Sequence, residues 1–294
     1  MRGLAVQNAN STECGEEPSN RTELPVPESG NSHRALRATE STQVKGAPGA
    51  EEGAAKKYGF CAACAAFEYN LCAAISDTAL SNQEQRNGGV RLVSSVHTIP
   101  ARRIIRHPKE WSEFVPIICG GWAAVSLAAL DGRRQILSFL LPGDCVSTAY
   151  VWHSISGYTV EAITDVTYRN FKRDDFKSVI LEYPDLFELF SEVWTGEKTQ
   201  ADQLALDLGR RTADERIARL ILNLADRLAK RDMMHGRTME FPLRQRHIAD
   251  ATGLTPVHVS KVLGEFQRAD MVEIKGRSLT IIDAAGLRRT ADWH

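Results

Sequence analysis

Three cysteines crowd one short stretch of this chain: Cys61-Ala-Ala-Cys64-Ala-Ala-Phe-Glu-Tyr-Asn-Leu-Cys72. Two thiolates three residues apart can close on one metal centre, and a third returning seven residues later completes a three-point grip. One coordination position is then left open, to be filled by Cys145, Cys119, a carboxylate such as Asp144 or an exogenous ligand. The same cysteines, set among alanines, also suit a helix interface as small buried hydrophobes. A second group is polar rather than metal-binding. His258, Ser260 and Lys261 are short or flexible side chains on the outward side of a helix, the arrangement that offers hydrogen bonds to base edges and phosphates.

The element that positions this second group is Gln245 to Leu263, which reads as two short helices around a tight turn. Ile248, Ala249, Leu254, Val259 and Val262 are spaced to face one small core. Ala249 is small where two helices must approach, and Gly253 stands where the first helix must end in a left-handed residue. Thr255 can cap the second helix, with Pro256 at its first position. This is a helix-turn-helix presenting a recognition helix to the major groove of DNA.

At 294 residues the chain has room for two modest domains and an extension. Its formal charge of -1 excludes a globally basic nucleic-acid binder, so any DNA footprint is local. No apolar run is long enough for a membrane span and no secretory signal pattern opens the chain, so the protein is expected in the cytoplasm. In that reducing compartment a cysteine cluster favours metal or redox chemistry over a disulfide framework.

Residues 1–57 carry almost no large apolar side chains and are expected to be a disordered tail. The cysteine segment and a small antiparallel β-roll are expected over 58–180. Val115 to Leu130 reads as strand, turn, strand; Asp131-Gly132 marks a hairpin with the strand Arg133 to Leu141; Pro142-Gly143-Asp144 makes a further turn. A further strand pair is expected around Tyr158–Ile163 and Val166–Phe171. Leu186, Leu189, Phe190, Val193 and Trp194 then recur at helical spacing, followed by Ala201, Leu204, Leu206 and Leu208. A striped helix over 181–209 needs a cover, either a second copy of itself in a parallel homodimer or its own barrel. Residues 210–294 complete the chain. Thr212 and Glu215 form a capping-box pattern before a helix from Ala213 to about Lys230. Thr238 to Leu243 and Met271 to Ile282 supply strands, the latter turning around Gly276. That is a winged helix-turn-helix with Lys275 and Arg277 at the wing tip, placed for phosphate contacts.

This order of parts resembles the Crp/Fnr family of bacterial transcription regulators. The residues that carry the resemblance are Asp131-Gly-Arg-Arg-Gln with Phe139-Leu-Leu-Pro-Gly-Asp144, Thr212-Ala-Asp-Glu-Arg-Ile-Ala-Arg-Leu220, and Ile248 to Phe266. The resemblance implies an α+β fold with an N-terminal antiparallel, cyclic-nucleotide-binding-like β-roll, a long dimerisation helix and a C-terminal winged helix-turn-helix. It also implies a two-fold dimer on a palindromic operator, RNA polymerase as a partner, and no enzymatic activity. Cys61, Cys64 and Cys72 are similar to the N-terminal cysteines of the oxygen-sensing Fnr/FnrN/FnrL branch, which hold a [4Fe-4S] cluster with a fourth cysteine from the β-roll. Here that fourth position falls at Tyr168, so Cys145 or Cys119 would have to substitute. Where many relatives carry a Glu that accepts from cytosine, this chain has Val257, for which contact with a thymine methyl is the natural substitute. Ser260 matches a Ser of Fnr-type readers, and Lys261 stands where they have Arg.

The sequence also bears on other ligands and on another class. Cyclic AMP is disfavoured, because Pro142 to Val146 and Gly157 to Glu161 contain no Arg to pair the cyclic phosphate. Haem would use His153 as an axial ligand. The cysteines could instead bind zinc, respond to thiol oxidation, or be vestigial in a constitutive regulator. From another class, a cupin-like β-barrel enzyme would need paired metal-binding residues, and His97, His107 and His153 show no such spacing.

Overall fold

The computed structural model describes residues 94–292. Cys61, Cys64 and Cys72, and the tail expected over 1–57, lie outside the described residues. The N-terminal part is a roll of seven strands: β1 (Ser94–Ile99), β2 (Ile104–Arg106), β3 (Phe114–Gly120), β4 (Ala123–Ala128), β5 (Arg134–Leu140), β6 (Thr159–Ala162) and β7 (Val166–Lys172). They form two antiparallel sheets, ordered β1-β7-β3 and β2-β6-β4-β5.

The expected strand pair around Tyr158–Ile163 and Val166–Phe171 is corrected by this topology. Both strands exist, but β6 pairs with β2 and β4 while β7 pairs with β1 and β3. β3 and β4 part company in the same way, and only β4 and β5 make the hairpin marked by Asp131-Gly132. The two crossovers meet at one corner. The Trp122 carbonyl accepts from the N–H of Ile163 at 2.8 Å and of Thr164 at 3.2 Å, and Trp122 N–H donates to Thr164 Oγ1 at 2.9 Å. Gly121, at φ +79°, makes this possible, since a Cβ there would lie 2.0 Å from the Asp165 carbonyl oxygen. At this corner consecutive strands pass to different sheets, and a core of Val115, Ile117, Ile118, Val160, Ala162, Val166 and Phe171 fills the space between.

Four helices follow or interrupt the roll: α1 (Ala149–Trp152), α2 (Arg173–Glu182), α3 (Pro184–Arg210) and α4 (Ala213–Ala229). Pro184 ends α2 and starts α3, its fixed φ suiting the first helical turn. The apolar stripe of α3 divides. Leu186 and Phe190 are buried against the roll, whereas Phe187 and Trp194 are about half exposed. At α4 the expected capping box is present: Thr212 Oγ1 accepts from Glu215 N–H and Glu215 accepts from Thr212 N–H.

The C-terminal part comprises β8 (Met234–His235), β9 (Thr238–Glu240), α5 (Gln245–Thr252), α6 (Pro256–Arg268), β10 (Val272–Lys275), β11 (Ser278–Ile281) and α7 (Ala284–Thr290). Helix α7 was not anticipated from the sequence. Ile217, Ile221, Leu224 and Leu228 of α4 pack on Ile248, Val259, Val262, Phe266 and Leu279, and the same apolar cluster continues into Trp122, Ile136, Phe139 and Leu141 of the roll. No described helix is long and apolar enough to cross a membrane.

Candidate nucleic-acid interface

Helix α6 begins where the chain says it should. Thr255 is extended at φ -88° and its hydroxyl accepts from His258 N–H at 3.2 Å, and Pro256 occupies the first turn. Val259, Val262, Leu263 and Phe266 then turn inward and are buried. Val257, His258, Ser260 and Lys261, at helical offsets 0, 1, 3 and 4, share the other face and are exposed, Val257 at 80%. An exposed valine beside a hydroxyl and two nitrogen-bearing side chains offers donors, acceptors and a methyl surface together, the set needed to read base edges.

The turn before α6 is held closely. Gly253 ends α5 in the left-handed region at φ 67°, and a Cβ on it would lie 2.7 Å from Leu208 Cδ2 at the end of α3. Leu254 is half-buried, packing with the buried Ile248 and Ala249. At the wing, Gly276 has φ 60° and Lys275 and Arg277 are exposed on either side. Lys275 Nζ pairs with Glu273 at 2.7 Å and Arg277 Nη2 with Glu240 at 3.3 Å. Both cationic side chains are more than 60% exposed, and such surface pairs are weak enough for a phosphate to replace the carboxylate.

Three features here escaped the sequence reading. Arg244 and Arg246 flank the start of α5 and are exposed, and Arg246 Nη2 lies 3.9 Å from Glu161 of the roll. His247 is buried, its Nδ1 accepting from Arg244 N–H at 3.2 Å, and burial together with the nearby Arg246 lowers its pKa to about 4. Third, α5 is tied to the roll through Arg134 and Gln135 of β5. No local pattern announces a buried histidine or a contact between residues more than a hundred positions apart.

Residues 215–290 match the Crp-like helix-turn-helix domain, and residues 96–183 match the cyclic nucleotide-binding domain. The chain is 31% identical over 173 residues to the transcriptional activator protein FnrL of Cereibacter sphaeroides, covering 58% of this chain and 69% of that protein. It is 28% identical over 237 residues to the nitrogen fixation regulation protein FixK of Bradyrhizobium diazoefficiens, 79% of this chain and 94% of the other. The chain belongs to the Crp/Fnr family. Its fold is also similar to the structure of FixK2 from Bradyrhizobium japonicum, with a TM-score of 0.61 and 27% identity over 68% of this chain and 98% of that one. This Crp/Fnr protein is a DNA-binding transcription regulator, not an enzyme.

The cysteine and histidine side chains of the roll are placed unevenly. Among the described residues no group of three or more His, Cys, Asp and Glu side chains is gathered for a metal. Cys145 follows the Pro-Gly-Asp turn and is buried; burial, with Glu197 and Asp144 nearby, pushes its thiol pKa far up, against thiolate formation. Cys119 is placed differently. In the β3–β7 ladder Ile118 pairs with Tyr168 and Gly120 with Thr167, so Cys119 is the extra residue of a bulge immediately beside Tyr168. It is half-buried, and its Sγ lies 3.7 Å from the Ile117 carbonyl oxygen. On the other side of Tyr168, His97 of β1 stacks on the phenol ring with centroids 5.4 Å apart. His153 is an exposed residue just past α1. Just past the Pro142–Val146 stretch, Thr148 gives its N–H to Glu197 at 2.8 Å and its hydroxyl to the same carboxylate at 2.7 Å.

Proposed function

We propose that this regulator binds a palindromic operator as a homodimer and responds to oxygen or redox state through a [4Fe-4S] cluster held by Cys61, Cys64, Cys72 and Cys119. The observation that carries the DNA reading is the exposed face of α6. Val257 would meet a thymine methyl, Ser260 and His258 base edges, and Lys261 guanine or phosphate, with Lys275 and Arg277 on the backbone. Lys at position 261 lacks the planar two-point fork of Arg, so the site is expected to be a variant of the family palindrome. The half-exposed Phe187 and Trp194 on α3 support a second α3 as cover. Bound as a dimer, the protein would act on transcription through RNA polymerase.

Between the two candidates for the fourth cluster ligand, local chemistry favours Cys119. Cys145 is buried in the core of the roll, whereas Cys119 is only half-buried and so more open to an incoming cluster. Cys119 adjoins Tyr168, the strand position at which the family's cysteine would fall, and its bulge turns it out of the regular ladder. When bound, such a cluster supplies a centre that oxygen or nitric oxide destroys. The test is iron and sulfide analysis, with visible absorbance, of anaerobically purified full chain. Iron and sulfide near four each per chain are expected for the wild type, lost in Cys72→Ser and Cys119→Ser and kept in Cys145→Ser. A colourless, iron-free wild type whose DNA binding ignores air would sink the cluster.

A further inference from the structure

Strand β5 sends two side chains out of the roll and onto the reader. Arg134 donates Nε and Nη2 to Asp250 Oδ2 on α5, at 3.0 and 2.8 Å, and donates Nη1 to Glu161 on β6. Its neighbour Gln135 donates Nε2 to the Ala251 carbonyl at 3.0 Å. Glu161 is only 10% exposed at its side chain, so the guanidinium is oriented by a carboxylate fixed in the sheet before it reaches the reader. Its planar fork then transfers that orientation to Asp250.

The same short turn is gripped from the other side. Arg216 of α4 donates Nη1 to the Thr252 carbonyl at 3.1 Å, Nη2 to Leu208 O at 3.0 Å and Nε to Arg211 O at 2.9 Å, joining the ends of α5 and α3. Asp250 to Thr252 is therefore held between the roll and the elbow after α3, and Gly253 and α6 follow directly. None of these contacts uses Val257, His258, Ser260 or Lys261.

We infer that Arg134 is a positioning residue for DNA reading. Through Asp250 it sets α6 relative to α3, and hence the geometry in which two recognition helices reach two half-sites at once. The inference rests on the dimer-on-palindrome reading. Its energetic content is bivalency: a reader held in place presents the second helix at a high effective concentration, and a loose one does not, although each reader alone is unchanged.

The experiment uses the full chain and a fluorescein-labelled duplex that the wild type selects from a random-sequence pool, compared with the same duplex after one half-site is scrambled. The wild type is expected to prefer the full site. Arg134→Gln and Asp250→Asn should each weaken full-site binding roughly tenfold, leave half-site binding within about twofold, and combine non-additively. Arg134→Lys, which keeps the charge without the fork, should fall between. Asp250→Asn preserves the Arg134–Glu161 pair, so the test survives if Arg134→Gln fails to fold. Variants that keep the full-site preference overturn the inference alone, as does an equal loss on both duplexes, which marks a merely structural role. A wild type that binds both duplexes equally overturns the palindrome reading and the inference with it.

Discussion

Both helices of the reader pack on one core, α6 through Val259, Val262, Leu263 and Phe266 and α5 through Ile248 and Ala249 beside His247 and Thr252, and they use their remaining surface in opposite ways. On α6, Val257, His258, Ser260 and Lys261 point to solvent, ready for a partner outside the chain. On α5, Asp250 and the carbonyls of Ala251 and Thr252 are already occupied by Arg134, Gln135 and Arg216 of neighbouring elements. One helix reads and the other is held. The contrast teaches that a recognition helix is placed by specific contacts that come from distant parts of the chain.

The turn joining the two helices is where the contrast breaks most easily. Gly253→Val puts a branched side chain at φ 67° and drives its Cβ toward Leu208, so the reader should lose roughly 3 kcal/mol, seen as a lower urea midpoint and lost DNA binding. An unchanged midpoint would mean that the turn can relax away from α3.

Acid is the next test, directed at the held helix alone. His247 has a folded pKa lowered to about 4 by burial and Arg246, below the ordinary value of 6.5. Below that ordinary value the unfolded chain takes up a proton that the folded reader refuses. Stability is therefore complete above about pH 6.5 and falls as pH drops toward 4, with a slope of at most about 1.4 kcal/mol per pH unit from this group. Urea unfolding at pH 7 and pH 5.5 should show this loss in the wild type and less of it in His247→Asn; equal losses in both would assign the effect elsewhere.

The smallest effect on stability belongs to the reading helix. Lys261→Ala should leave the urea midpoint within about 0.5 kcal/mol and weaken DNA binding by about 1 to 3 kcal/mol. If the loss is confined to one base pair, Lys261 reads a base; if all sequences weaken alike, it meets phosphate, as Lys275→Ala at the wing is expected to do.

Legibility followed the distance over which each interaction acts. Gly253, Thr255 and Pro256 could be assigned because helix stop, cap and start are local backbone matters settled within a few residues, and the capping box at Thr212 is of the same kind. The β4–β5 hairpin was legible for that reason too, its turn being Asp131-Gly132. The pairing of β6 and β7 was not. Period and composition identify a strand but not its neighbour, and at the Gly121 corner consecutive strands go to different sheets. The stripe on α3 was visible, but not its division between Leu186 and Phe190, which face the roll, and Phe187 and Trp194, which do not.

What the sequence determined by itself, then, is the reader: a recognition helix with its cap, its turn and its outward residues, all specified by short-range geometry and periodicity. What the tertiary structure alone decided is where that reader is held and which cysteine lies beside Tyr168. Arg134 and Asp250 are 116 residues apart, and Cys119 comes beside Tyr168 only through a bulge in a ladder between distant strands. Such contacts exist only after the chain has closed its long loops and packed its sheets, so no local pattern encodes them.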